Sequence, residues 1–245
     1  MSTATLNGKI ITALCLTLPA WGVWTAEADV ADAGIETGAA TLVLGDLTLK
    51  GTIVPTRAGS YASKGKYRIV GGAGGWAKKL PAKGYRNDAG VKISLLLKDA
   101  AQAAGEQLPA TLPAGTVGTT FARAAGPGSI LLNWVAEKAW FVDENGVTQL
   151  APRATSVVTD PSLTVTDWDP KHGRATVAPV DKVAELVPGA QLTSDLFVGA
   201  DGKATTITAG DVVHHLGEKR GSDGKSQIQL RTVIHVVVST EVSAA

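Results

Sequence analysis

The constraint that most limits this chain is a run of short alternating patterns in its first third, punctuated by glycine. Lys9–Leu18 is apolar and closed by Pro19. In Trp21–Val30, Trp24, Ala26, Ala28 and Val30 share one parity, and Val23, Thr25, Glu27 and Asp29 share the other. That period of two belongs to a strand with one wet side. Ala39–Leu44 and Leu47–Val54 flank the tight turn Gly45-Asp46, and Lys66–Val70 follows a segment expected to be a long exposed loop. Short strands at this density predict a small barrel or sandwich.

The stretch from Gly45 to Gly105 then changes character. Two strand patterns lead into the glycine-rich exit Val70-Gly-Gly-Ala-Gly-Gly-Trp76. The amphipathic helix that follows carries Ile93, Leu96, Leu97, Ala100, Ala101 and Ala104 on one stripe, with Asn87 or Asp88 as its cap and Gly105 as its stop. A second short helix is expected from Ser129 to about Ala139, and Asp143–Gly146 reads as a hairpin turn. Beyond Thr155 the pattern is β again: Leu163–Asp167 and Arg174–Pro179 around Trp-Asp-Pro-Lys-His-Gly, then Ala204–Thr208 and Gln227–Val238. The expected class is therefore mainly β with an α+β insert, two small barrel-like domains flanking an α+β layer. The boundaries fall at 1–85, 86–153 and 154–245.

Composition narrows function by exclusion. A net charge of +1 does not nominate nucleic acid or membrane as a bulk partner. One cysteine, Cys15, rules out an internal disulfide framework, and its apolar surroundings predict a buried small side chain. No apolar run reaches the length of a membrane helix, so no membrane anchor is expected. The glycine-rich exit lacks the third glycine of a dinucleotide fingerprint and the Lys-Ser/Thr of a P-loop; it predicts a bulged strand end where another backbone passes close. His214 and His215 are adjacent, so a strand points them to opposite faces. Neither His172 nor His235 completes a metal-ligand spacing. Asp160, Asp167 and Asp169 sit among turn residues without a cleft pattern. No catalytic, cofactor-binding or metal-ligating set emerges.

Two features point to surfaces. From Lys50 to Arg86 there are nine cations and no acid, with Lys64, Lys66, Arg68, Lys78 and Lys79 as the candidate basic face for an acidic partner or a channel carrying DNA. Six tryptophans dominate a chain poor in aromatics, and Trp21, Trp24, Trp76 and Trp168 are the candidate interface anchors.

In order along the chain, Trp21–Val30, Thr41–Val54, Tyr67–Trp76, Tyr85–Gly105 and Trp140–Leu150 resemble the phage baseplate hub or tail hub proteins of the late-control and Mu-like type. The likeness covers most of 1–153 and the plan of 154–245. It implies two barrel-like β domains packed about a threefold axis, with an α+β domain inserted. Such a homotrimeric ring ends the tail tube, beside a tube or distal tail protein, and seats a spike or tip protein, so that DNA passes its lumen. The implied location is the virion tail, after synthesis in the host cytoplasm, and no enzyme or cofactor is implied. Two other readings stand beside it. Lys9 followed by an apolar run suggests a secreted β-rich binding protein with residues 1–28 as a signal, although Pro19, Trp21 and Trp24 interrupt that pattern. A cell-wall hydrolase carried on a virion is the third.

Overall fold

The computed structural model describes residues 4–31, 34–55, 58–61, 64–178, 181–198, 204–220 and 226–236. The chain opens with β1 (Ala4–Leu6), β2 (Lys9–Leu18), β3 (Thr25–Val30), β4 (Gly38–Leu44), β5 (Leu47–Ile53), β6 (Gly59–Tyr61) and β7 (Lys64–Gly71). The middle holds β8 (Lys79–Leu80), β9 (Lys83–Arg86), β10 (Val91–Lys92), α1 (Ile93–Ala104), β11 (Thr116–Val117), β12 (Thr120–Arg123), β13 (Gly126–Pro127), α2 (Ser129–Ala136), β14 (Phe141–Val142) and β15 (Thr148–Gln149). The last third holds β16 (Ser156–Val157), β17 (Val165–Asp169), β18 (Arg174–Val177), β19 (Ala190–Val198), β20 (Ala204–Arg220) and β21 (Ser226–Val236).

The first strands close on themselves in the order β1-β4-β5-β7-β3-β2, and β2 pairs back to β1 through Thr5↔Ile10 and Leu6↔Lys9. Closure removes the sheet edges. Beyond the register shift at Ile11–Ala13, the even-numbered residues of β2 (Leu14, Leu16, Leu18) and those of β3 (Ala26, Ala28, Val30) turn inward and are buried with Leu6, Ile11, Leu42, Leu44 and Ile69. Trp24 plugs this core at 1% exposure. Gly51 and Gly71 stand opposite each other on β5 and β7, and a methyl on either would lie within 2.8 Å of the Trp24 indole. The two glycines therefore clear the floor on which that ring rests, and this packing uses the alternation seen in the sequence.

One strand belongs to both β regions. The start of β2 pairs with β1, and its end, Leu14–Leu18, pairs with Leu216–Val212 of β20. From there the sheet continues β20-β21-β18-β17, while β19 pairs with the first residues of β20 and β16 runs parallel to β19. The Trp168 ring meets Phe197 edge-on at 5.1 Å, bringing β17 to β19 without a ladder. The second region is thus a barrel-like sheet with a side-chain seam. The fold is mainly β, with a closed six-stranded barrel, as expected.

Between the two lies the α+β layer. The buried stripe of α1 is Leu96, Leu97, Ala100, Ala101 and Ala104. The helix ends in a Schellman motif: Gly105 is left-handed at φ 77°, and the Gly105 and Glu106 amides donate to Gln102 and Ala101 carbonyls. Residues 79–86 pair with 120–127, so β8 and β9 sit with this layer.

Several local expectations are corrected. The helix begins at Ile93, because Val91–Lys92 pairs with β11 and the Asn87 carboxamide accepts from Ala89 N at 3.0 Å, holding a turn. Residue Ser129 is the first residue of α2, not its cap. The segment expected to be a long loop before β7 contains β6, paired to β7; residues 56–57 and 62–63 lie outside the described set. Cys15 is exposed, since its odd position in β2 faces outward. The strand expected over Ala204–Thr208 extends to Arg220 through a register shift between Ala209 and Val212, and β19 was not foreseen.

Candidate functional site

The four tryptophans expected at an interface divide. Trp24 and Trp76 are each 1% exposed and serve this chain's own core. The Trp76 indole N–H donates to Thr148 Oγ1 at 2.7 Å, pinning the glycine-rich exit to the β15 strand. Neither ring can reach a partner without unfolding, so both are corrected from interface to core. Trp21 is 41% exposed and Trp168 is half-buried against Phe197. Trp134, at 52%, presents more of its ring than any of these.

The basic residues separate too. Lys64, Lys66 and Arg68 share the outer face of β7, and β3 sets Asp29 and Glu27 directly across from Lys66 and Arg68. The acids missing from the stretch in sequence are thus supplied by its neighbour strand, where opposite charges attract modestly. Lys78 reaches the Ala104 carbonyl at 3.4 Å, a cation at the negative end of α1. Lys79 is exposed on β8 beside Pro127. Lys83 is engaged by Asp99, which also accepts from Tyr85 Oη at 2.6 Å. Burial would raise the Asp99 carboxyl, but those partners and Arg123 hold it below the usual carboxylate range. Arg57 lies outside the described residues.

The glycine-rich exit does hold an anion, and it is the chain's own. Gly72 and Gly74 adopt left-handed φ of 65° and 69°, which turns the loop amides inward. Glu106, 8% exposed, accepts from Ala73 N at 3.0 Å and Gly75 N at 2.5 Å. Gly75 passes so near α1 that a methyl there would stand 1.9 Å from the Ala104 carbonyl oxygen. A signal for this was present: an acid just past a helix C-terminus opposes the helix dipole, so it needs donors elsewhere.

Buried polar groups organise the second β region. His214 on β20 is fully buried, with Nδ1 at 2.8 Å from Thr232 Oγ1 and Nε2 at 3.1 Å from the Leu186 carbonyl. Donation to that carbonyl puts the proton on Nε2, so Nδ1 accepts from the threonine hydroxyl. Burial lowers its pKa to about 4, against the carbonyl's opposing effect. His215 faces out, as parity required. Asp160 accepts from the Lys182, Asp181 and Ser162 amides and the Ser162 hydroxyl at 2.7–3.0 Å. Burial would push its carboxyl up, yet these donors bring it down to about 2. Glu185 similarly ties Thr159 and Lys182, so these carboxylates knit loops together. Asp169 holds the His172 turn. No group of three or more His, Cys, Asp and Glu among the described residues is placed to hold a metal ion.

A cavity of about 480 Å³ opens where the three parts meet, lined by Trp24, Leu47, Lys50, Asn145, Arg153 and Val187 among others. The Arg153 guanidinium lies 4.0 Å from the centre of the Phe141 ring. Burial lowers its pKa to about 10, while Glu144 and Asp143 oppose the shift. Asp46 accepts from Ala184 N at 2.9 Å, joining the β4–β5 turn to the second region. This is a joint between parts of one chain, with no nucleophile and base in contact.

No family profile matches the chain, and no curated protein is significantly similar to it in sequence. The fold is shared with solved structures. The 43 kDa tail protein of prophage MuSo2 from Shewanella oneidensis matches over 96% of each chain, at TM-score 0.59 and 10% identity. A tail protein from Neisseria meningitidis matches over 96% of this chain and 95% of its own, at TM-score 0.55 and 11% identity. An Escherichia coli component of the type VI secretion system, described as structurally similar to T4 bacteriophage tail proteins, matches over 96% of this chain and 77% of its own, at TM-score 0.60 and 10% identity. From the closed barrel through the inserted layer to the barrel-like sheet beyond it, the chain has the fold of phage tail proteins.

Proposed function

We propose that this chain is a structural protein of a phage-type tail, the hub at the end of the tail tube. Three copies form a ring that joins the tube or a distal tail protein to a spike or tip, and DNA leaves through its lumen. The observation that carries this reading is the match over 96% of the chain to tail proteins, spanning both β regions and the layer between them. Two barrel-like units on one chain supply six units from three copies, the arrangement a tube of sixfold character needs. On this reading the units are 1–85, 86–153 and 154–245, with β8 and β9 at the end of the first paired into the second; the molecule resides in the virion tail, and it performs no reaction. Lys64 and Lys66 are exposed on the outer barrel face, where they suit a neighbour or the lumen wall.

The alternative of a secreted binder fits poorly. Residues 4–28 build β1, β2 and most of β3, so removing 1–28 would open the barrel and delete the strand shared with β20.

Sedimentation and electron microscopy of the full chain test the proposal. The expected result is a trimeric ring, alone or with the tube protein, and antibody labelling at the tail tip. A chain that stays monomeric with the tube protein present, and whose antibody labels no tail, overturns it.

A further inference from the structure

One surface of the inserted layer is unaccounted for by the hub proposal and stands independently of it. Helix α2, Ser-Ile-Leu-Leu-Asn-Trp-Val-Ala, is apolar on both sides. Leu131 and Leu132 turn into the core, while Ile130 and Trp134 face outward at 60% and 52% exposure. Large apolar side chains on the face opposite a helix's buried stripe are ordinarily covered by something. Beside it runs β12, which among the described residues pairs with β9 alone, leaving its other edge without a strand from them. Between helix and strand lies a groove of about 210 Å³ lined by Phe121, Arg123, Pro127, Ile130, Leu131 and Trp134. Its aromatic wall is already assembled from tilted ring contacts: Tyr85 to Phe121 at 6.2 Å and Phe121 to Trp134 at 5.1 Å.

Arg123 adds a donor. Its side chain is only 9% exposed, and its Nη1 is ion-paired with Asp99 Oδ2 at 3.7 Å, beyond hydrogen-bond length. Nη2 donates to the Pro81 carbonyl at 3.2 Å, whereas Nε and Nη1 are buried without a hydrogen bond. Buried guanidinium nitrogens ordinarily find acceptors. Lys79, in register with Pro127 at the rim, keeps the surroundings cationic.

We propose that this groove binds an extended segment of another protein, apolar with an acidic residue, which adds as a strand to β12. Size decides against a second copy of this chain. The exposed parts of Trp134 and Ile130 amount to on the order of 250 Å², far below the roughly 800 Å² per partner of a stable protein–protein contact. One strand laid along an edge, with one side chain in the groove and an oxygen on Arg123, matches the area and the chemistry.

The test uses the full chain and a display library of random peptides. Selected peptides are expected to share an apolar residue next to an acid. A synthetic copy of one should bind Trp134→Ser about tenfold or more weakly and bind Trp134→Phe nearly as well as the original. It should also slow amide exchange over Thr120–Ala125. A library that yields no shared pattern, equal binding to Trp134→Ser, or unchanged exchange over Thr120–Ala125 overturns the proposal. So does a dimer of the unmodified chain that Trp134→Ser dissolves, since the surface would then take a second copy.

Discussion

The two β regions solve the same packing problem differently. The first is a closed barrel around apolar side chains, with Trp24 seated on paired glycines. The second is a barrel-like sheet hung on β2, joined by the Trp168–Phe197 contact instead of a ladder and tied by His214, Asp160 and Glu185. Closure makes the first region depend on volume. The second has an apolar core too, with Val177, Leu186, Phe197, Val212 and Ile234 buried, and adds hydrogen bonds to groups that titrate. Apolar packing is indifferent to pH, whereas buried imidazole and carboxylate are not.

The largest expected effect tests the volume side. Trp24→Ala should destabilise the whole chain by about 3–5 kcal/mol, because the cavity left over Gly51 and Gly71 cannot collapse. Urea unfolding should show both regions lost together, since β2 serves both. Two separate transitions would break the comparison at that shared strand.

The pH dependence comes next. His214 is neutral when folded, with its pKa lowered from 6.5 to about 4. Its contribution is complete above the unfolded value and is lost as pH falls from 6.5 toward 4, because the unfolded chain binds a proton that the folded chain does not. The loss should reach about 2–3 kcal/mol and show as a fall in amide protection, relative to the intrinsic exchange rate at each pH, in β18, β20 and β21 before β4 and β5. Asp160 acts lower: its carboxyl is depressed from 3.8 to about 2, so its contribution persists above 3.8 and is lost as pH falls toward 2. Uniform exchange across both regions at pH 4.5 would contradict this division.

A smaller effect is expected where Glu106 ties the glycine-rich exit to the end of α1. Glu106→Ala should cost about 2 kcal/mol by stranding the Ala73 and Gly75 amides. Formate added to that variant should recover part of the loss, because the loop retains its inward amides, and should leave the original chain unchanged. Smallest is Lys66→Glu, which should move stability by under about 0.5 kcal/mol. A larger fall would mean that the cross-strand pairing with Asp29 does more than an exposed pair usually does.

Much of the barrel was legible because its signals are local. Parity in Trp24–Val30, the Gly45-Asp46 turn and the α1 stripe each follow from residues a few positions apart. The misreadings have the same origin. Asn87 resembles a helix cap, but the pairing of Val91 with Val117 and Lys92 with Thr116 delays the helix. Gly210 and the charged Gly217–Arg220 hide a strand that β21 holds along one side while β19 and β2 hold parts of the other. Trp24 and Trp76 looked no different from Trp134, because aromatic residues suit a core and a contact surface equally.

What the sequence determined by itself was the list of short elements, the class, and the absence of any recognisable catalytic spacing. Those depend on backbone preference and side-chain alternation, which neighbours in the chain set. Only the tertiary structure decided which strand closes the barrel, that β2 is shared with β20, and that Glu106 fills the glycine loop. It also decided that β3 faces the basic residues of β7 with acids, and that α2 keeps an apolar face outward. Each of these joins residues far apart in the chain, and pairing at that range depends on the geometry of the assembled sheet, which no local pattern encodes.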